Sequence, residues 1–454
     1  MRLLQRADSE LITEGSLVGA TLALAMPMLL SAVLQNVQSL IDLFWVGRLG
    51  HEAVAAVAMA ATILMLLYPM LMGLSTGTVA LVSRAVGAGR MEEASAAATQ
   101  SLLLSLVLGT LSALVGWFAA APLFQLLGAE PDVARDGIVY LRIFLAGSFT
   151  VYLLFIGNAA LQGAGDAHTP MYVMMAANLL NIVLDPLLIF GIGPFPRMGV
   201  AGAAMATVIS QALAASIALR VLLRGRSGVH ARPAYWKPDF GMSWRILRIG
   251  IPGSGQMLSR SLMSLVLMGI VATSGTAAVA AYGTGLRFHY IILMPAFALG
   301  GAAATMMGQN LGAGKPARAR KAVWVATWMD VGIMVLSSVT LILLAPKLIA
   351  LFNSDSEVVN IGARYLRIVS VFYVFAALGI VIGRGLNGAG DTVGPMVITI
   401  AALWGLQVPL AAWLSRVVTP PTDGVWWAIA AAFVAQGLMV VLWFELGRWK
   451  HKSV

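Results

Sequence analysis

The chain repeats itself at one offset. Pro27 and Pro252 stand 225 residues apart (252 − 27 = 225), and four further motifs keep that spacing. Gly50-His-Glu-Ala-Val-Ala-Ala-Val meets Gly275-Thr-Ala-Ala-Val-Ala-Ala-Tyr; Gly87-Ala-Gly-Arg90 meets Gly312-Ala-Gly-Lys315; Tyr140-Leu-Arg142 meets Tyr365-Leu-Arg367; and Leu161-Gln-Gly-Ala-Gly-Asp166 meets Leu386-Asn-Gly-Ala-Gly-Asp391. Chance does not hold one register across separate motifs, so the chain is two like-folded halves. Both halves are lipid-soluble in character: 59% of residues are hydrophobic and 11% charged, against about 25% charged in soluble domains. In a bilayer every backbone polar group must be paired internally, which restricts such runs to helices. Twelve spans are expected, at 17–47, 53–82, 93–120, 133–161, 169–191, 199–223, 246–272, 278–308, 319–345, 358–386, 394–415 and 425–447. The fold class is therefore an all-α polytopic membrane protein with two six-helix bundles. An even number of spans per half keeps both copies in one orientation, related by a pseudo-two-fold axis along the membrane normal, with the substrate path between them. The divisions expected are an N-terminal lobe 1–223, a cytoplasmic linker 224–245 and a C-terminal lobe 246–454.

The formal net charge of +10 does not indicate a nucleic-acid partner, because the basic residues sit in connectors between apolar runs. Arg2, Arg6, Arg84, Arg90, Lys315, Arg318, Arg320, Lys321, Arg448, Lys450, Lys452 and the 224–245 linker share one side. The positive-inside rule makes that side, with both termini, cytoplasmic, and the location a multi-pass inner membrane. The first sixteen residues mix both charge signs without a signal-peptide core, so the first span is retained. With 0 cysteines there is no disulfide, thiolate nucleophile or thiolate metal site. Gly312-Ala-Gly-Lys315 has Gln309 and Pro316 where a phosphate loop needs a glycine and a hydroxyl residue. No nucleophile–base pair or metal set appears. These readings exclude an enzyme and an ATP-driven machine.

Ionisable groups inside the spans carry the functional signal, since each costs about 2.5–3.5 kcal/mol to insert. Asp42 lies fifteen residues beyond Pro27, where a helix loses a hydrogen bond and can bend. Asn181 and Asp185 share a helix face at i and i+4, and Pro186 frees the carbonyl of Ile182. With Thr207 these are hard donors suited to a proton relay or to Na⁺ held by Asp42, Asn181, Asp185 and Thr207. Low dielectric favours a neutral carboxyl, and two close carboxyls tend to hold one proton between them. At the repeat offset Asp42, Asn181 and Asp185 become Leu267, Leu406 and Leu410, so the buried acids are expected in the N-terminal half alone. Arg142 and Arg367 recur in both halves and read as scaffold. Arg260, Arg287 and Arg384 occur only in the second, with Arg287 beside His289 a candidate for the substrate cavity. Glu445 and Arg448 read as a helix-end pair, and Trp117, Trp244, Trp413 and Trp449 as interfacial anchors.

The Pro27…Asp42 spacing, the Asn181-x-x-x-Asp185-Pro186 motif and the paired Gln-Gly-Ala-Gly-Asp and Asn-Gly-Ala-Gly-Asp turns resemble the multidrug and toxic compound extrusion (MATE) transporters over nearly the whole length. The residue-level match is to the DinF-type branch. That resemblance implies a secondary antiporter that exports cationic, amphipathic drugs in exchange for H⁺ or Na⁺, with no cofactor beyond the coupling ion. It implies coupling through Asp42, Asn181 and Asp185, a role for Thr207, an N-lobe cavity lined by Gln35 and Asn158, and bending of the first helix at Pro27. Arg260 and Ala376 stand where the NorM-type branch has acids, which argues against a C-lobe sodium site of that type. The partners expected are small cationic drugs and membrane lipid, with the chain acting as a monomer. The rival readings are a lipid-linked oligosaccharide flippase, which calls for a cationic cavity, and an ion channel.

Overall fold

Backbone hydrogen bonds satisfied within each segment leave a bundle of long helices, and the computed structural model describes residues 10–65 and 67–452. Arg2 and Arg6 lie outside the described residues. The elements in chain order are α1 (Leu17–Gly47), α2 (His51–Leu64), α3 (Tyr68–Gly87), α4 (Met91–Leu126), α5 (Pro131–Ala146), α6 (Ser148–Gly163), α7 (His168–Phe190) and α8 (Val200–Leu223). There follow α9 (Phe240–Ala272), α10 (Thr276–Gly312), α11 (Pro316–Ala350), α12 (Ser356–Ser370), α13 (Tyr373–Gly388), α14 (Val393–Val417) and α15 (Pro421–Glu445). Ten of these are long and apolar enough to cross a membrane, and twelve spans result when each of two bent pairs counts as one. The bends fall at matching places in the repeat: α5–α6 turns by 48° and α12–α13 by 58°. The expected all-α polytopic class and its span number hold.

The chain divides into two compact units, one of residues 26–251 and a second of residues 11–25 with 252–454. The boundaries fall inside continuous helices, at Ala25/Met26 in α1 and Ile251/Pro252 in α9. Pro27 and Pro252 each leave a helical turn short of one hydrogen bond, so both crossings occur where the ladder is weakest. The segment 11–25 is fastened to the second unit by polar contacts: Lys315 Nζ to Glu14 at 3.0 Å, Asn310 Nδ2 to the Ile12 carbonyl at 3.3 Å, and the Arg318 guanidinium to the carbonyls of Ile12 and Gly15. The 224–245 stretch is packed within the first unit rather than free. Gln100 on α4 donates to the carbonyls of Tyr235 (2.8 Å) and Lys237 (2.7 Å) and accepts from the Asp239 amide (3.1 Å). The compact units thus do not coincide with the lobe–linker–lobe division drawn from sequence, because the linker's carbonyls find their donors on α4.

The repeat survives as identical contacts. Arg142 Nε donates to the Trp117 carbonyl at 3.3 Å, and Arg367 Nε to the Ile342 carbonyl at 3.4 Å, each pair shifted by the same 225 residues. Gly163 lets α6 close on Val79 and Val82 of α3, and Gly388 lets α13 close on Ala304 of α10. Gly137 makes room for Phe124 as Gly362 does for Ile349. Two glycines at the turns, Gly89 and Gly314, both have φ +71°, a left-handed conformation that glycine reaches without strain.

Three expectations need correction. Trp449 is 1% exposed, donates to the Phe444 carbonyl at 2.7 Å and stacks on Phe444, so it is a core residue and not an interfacial anchor. Glu445 pairs with Arg320 at 2.6 Å, while Arg448 lies over the Trp443 ring. Asp330 in α11 is 0% exposed with both carboxyl oxygens lacking a partner, so buried acid is not confined to the first half. The offset comparison carried acids forward only, from Asp42 to Leu267 and from Asp185 to Leu410. Read backward, Asp330 falls on Ser105.

The glycine contacts yield a stability test. Gly388→Val drives a side chain into the Ala304 backbone and is expected to cost about 1–3 kcal/mol through overpacking. At Gly332, where nothing lies within 4 Å of an added Cβ, Gly332→Ala is expected to hold or raise the melting temperature in detergent, because alanine is the better helix former.

Candidate functional site

The site in the first unit is built by one face of α7 against α1. Along α7, Asn178, Asn181 and Asp185 follow at i, i+3 and i+7, so their side chains line one stripe. Asn181 and Asp185 are 0% exposed and Asn178 is 4% exposed. Asn181 Nδ2 donates to Asp185 Oδ1 at 3.4 Å. Asp42, half-buried on α1, lies near enough to Asp185 for each carboxyl to feel the other. Two carboxyls so placed favour holding one proton between them, since two carboxylates repel. Asp42 Oδ1, Asp185 Oδ2, Asn181 Oδ1 and both polar atoms of the Asn178 amide are buried without a protein partner. Such a set of hard, unpartnered oxygens fits a proton or a small cation as transported ion.

Beyond Asp42 the end of α1 is aromatic. Arg48 is six residues past Asp42, yet its guanidinium lies over Phe44 at 4.6 Å and Trp45 at 5.1 Å. Trp45 meets Phe190 edge-on at 5.9 Å. Val46, Ala53, Ile189, Val200 and Ala203 form the buried cluster beneath, with Tyr140 and Phe190 packed against it. The Tyr140 side chain lies close enough to both acids to feel their charge. Tyr140 was legible only as part of a recurring Tyr-Leu-Arg motif, and Asn178 only as another amide one turn before Asn181.

The remaining sequence candidates are placed as follows. The Thr207 hydroxyl donates to the Ala203 carbonyl of its own helix at 3.0 Å. Gln35 is on α1 at i−7 from Asp42, on the same side of the helix. Asn158 on α6 is 9% exposed with Oδ1 unpartnered. Pro27 sits within α1, and Ser31 Oγ donates to its carbonyl at 2.8 Å. Arg287 belongs to the second unit, exposed, with its guanidinium 5.8 Å from the Phe352 ring centroid.

The corresponding place in the second unit is filled with hydrocarbon. Leu267 (1% exposed) joins a cluster with Tyr282, Tyr365 and Trp426, and Leu410 packs against it. Tyr365 meets Trp426 edge-on at 4.8 Å, and Tyr282 stacks on Trp426 at 5.4 Å. Tyr365 is the repeat equivalent of Tyr140, so one tyrosine faces acids and the other faces rings.

Against this geometry the comparisons are decisive. The MatE family model matches residues 27–187 and again 252–413, beginning at each of the two helix prolines. The chain belongs to the MatE family. This MatE protein is 31% identical to the probable multidrug resistance protein YoeA of Bacillus subtilis (strain 168), over 94% of this chain and 93% of that one. It is also 31% identical to an FAD transporter of Shewanella oneidensis, over 90% of each chain. Among solved structures it is similar to the outward-facing conformation of a multidrug resistance MATE transporter of the MOP superfamily, with TM-score 0.89, 28% identity and coverage of 97% and 98%. The MatE chain is thus a polytopic membrane transporter and not an enzyme.

Since Arg48 is held by rings and Asp42 by Asp185, Arg48→Gln is expected to cost about 0.5–1 kcal/mol of stability, the value of an exposed cation–π contact. Transport measured in vesicles should fall by no more than about threefold. A loss of more than tenfold would make Arg48 the working partner of Asp42.

Proposed function

We propose that this MatE protein is a secondary antiporter of the inner membrane that expels cationic, amphipathic drugs in exchange for H⁺, with Na⁺ the second candidate ion. The observation that carries the reading is the nearness of Asp42 to the fully buried Asp185 in the first unit, with leucine at both repeat positions. Ionised, the pair offers negative charge to a cation. Protonated, it loses that attraction, so proton and cationic drug prefer different states of one site. Asn181 orients Asp185 by donating to it, Asn178 supplies a further amide on the same stripe, and Thr207 is a ligand only if its hydroxyl turns from Ala203. Gln35 and Asn158 line the drug's side of the site. Pro27 lies where the two compact units exchange helix α1, which suits a change of α1 that accompanies protonation. Both termini and the 224–245 stretch face the cytoplasm, by the charge of the connectors. The chain works as a monomer without a resident cofactor.

Efflux of a fluorescent cationic dye from proteoliposomes, under an imposed pH gradient or an imposed sodium gradient, tests this directly. Native protein should export the dye under the pH gradient. Asp42→Asn and Asp185→Asn should each lose at least about tenfold of that rate, the scale of one charge-assisted hydrogen bond of ~1.5–3 kcal/mol. Response to sodium alone would replace the proton as the coupling ion, and full activity of Asp42→Asn would remove that residue from coupling.

Leu267→Asp separates environment from residue identity. It places an acid against Tyr282, Tyr365 and Trp426, and is expected to destabilise the second unit without creating a second coupling site. The check is proton uptake per turnover, which should stay at the native stoichiometry.

A further inference from the structure

The second unit holds two arginines for which the described residues supply no counter-charge. Arg260 on α9 and Arg384 on α13 are both half-buried and close enough for their charges to repel, and Arg260 also bears on His289 of α10. Neither guanidinium donates a hydrogen bond to, or pairs with, any described residue. The acids of the unit are committed elsewhere: Glu14 to Lys315, Asp391 to Lys452, Asp423 to Arg364 and Glu445 to Arg320. Asp355 caps α12, Glu357 is exposed, and burial alone, with no neighbouring charge, acts on Asp330. Two like charges brought together away from water are costly unless something answers them.

The surroundings are shaped for these side chains. An added Cβ on Gly300 would lie 2.8 Å from Arg384 Cδ, so the glycine leaves a channel for the arginine stem along α10. The Arg384 head then lies over Phe297, 5.1 Å from the ring centroid. The segment Leu378–Ile382 just before Arg384 is wound as a π-helix, and so is Ala401–Gln407, whose Trp404 Nε1 donates to Ser259 Oγ beside Arg260 at 2.9 Å. His289 Nδ1 is 3.0 Å from the Tyr373 hydroxyl and its ring stacks on Phe433. At the repeat offset Arg260 answers to Gln35 and Arg384 to Ala159, the neighbour of Asn158. Of the two positions proposed to line the drug side of the first unit, Gln35 is therefore arginine in the second, while Asn158 gives way to Gly383, one residue before Arg384.

We propose that Arg260 and Arg384 form a binding site for a dianionic oxyanion, a phosphate or diphosphate group carried by an amphipathic molecule, with Phe297 and Phe433 taking its apolar or planar part. Guanidinium forks match phosphate edges two bonds at a time, and two adjacent forks select two negative charges over one. The group could arrive on a membrane lipid or on a soluble ligand, and binding assays tell these apart without any transport measurement, so the outcome is independent of the coupling reading.

The full chain in maltoside detergent is titrated with inorganic pyrophosphate by calorimetry, and separately with phosphatidic acid followed by native mass spectrometry. Saturable binding of one pyrophosphate is expected for a soluble ligand, and retention of one phosphatidic acid without pyrophosphate binding for a lipid. Arg260→Gln and Arg384→Gln should each weaken the bound probe at least about tenfold, the effect of one lost charge-assisted contact. Arg260→Lys and Arg384→Lys keep the charge but lose the fork, should bind more tightly than the glutamine variants and less tightly than native, and guard against a glutamine variant that fails to fold. Native protein that binds neither probe, or glutamine variants of native melting temperature that bind as tightly as native, would overturn the proposal.

Discussion

A proton held between two carboxyls is stable only where water is excluded and no lysine or arginine competes for either acid. In the first unit Asp185 is fully buried, Asp42 is half-buried, and among the described residues no cation pairs with either acid. Arg48, the nearest cation in sequence, is drawn onto Phe44 and Trp45. Asn181 then fixes Asp185 from one side while Asp42 approaches from another helix. The rest of the unit is a frame that sets the distance between α1 and α7. Its glycines allow helices to close, and its one recurring arginine bond spends a cation on a backbone carbonyl instead of on an acid.

Much of this frame was legible in the sequence because it is encoded twice. The 225-residue register showed two like-folded halves and marked Arg142 and Arg367 as scaffold; the bends, the glycine contacts and the carbonyls those arginines bond appear only in the structure. Asp42 and Asp185 stood out in the sequence as lone acids in apolar runs with leucine at the matching positions of the second half. What escaped was tertiary. Asn178 has no feature to separate it from other polar residues in a helix, and the role of Tyr140 depends on which helix it faces. Asp330 met the same lone-acid criterion as Asp42, in Trp328-Met-Asp330-Val-Gly-Ile, but a comparison run in one direction hides an acid that occurs only in the later copy.

Duplication followed by divergence explains why the two units carry opposite chemistry on one scaffold. Where the first has Asp42 and Asp185, the second has leucines packed on Trp426. Where the first has Gln35, the second has Arg260. The helix ladder is regular along the Asn178–Asp185 stripe and widens to π geometry in the second copy, over Ala401–Gln407. An extra residue per turn rotates everything beyond it, so side chains that start in register cannot all end there. Divergence in the second unit is thus one of backbone winding as well as of side-chain identity.

The exchange of α1 and α9 between the units has a consequence for how the chain is made. Residues 11–25 leave the ribosome long before the groove that holds them, which is made by Met306, Asn310, Lys315 and Arg318, some three hundred residues later. The opening segment must wait through synthesis of the whole first unit before its berth exists. A cut in the middle of the chain would therefore separate the second unit from its own first piece, and two half-length polypeptides would be complete only in each other's company.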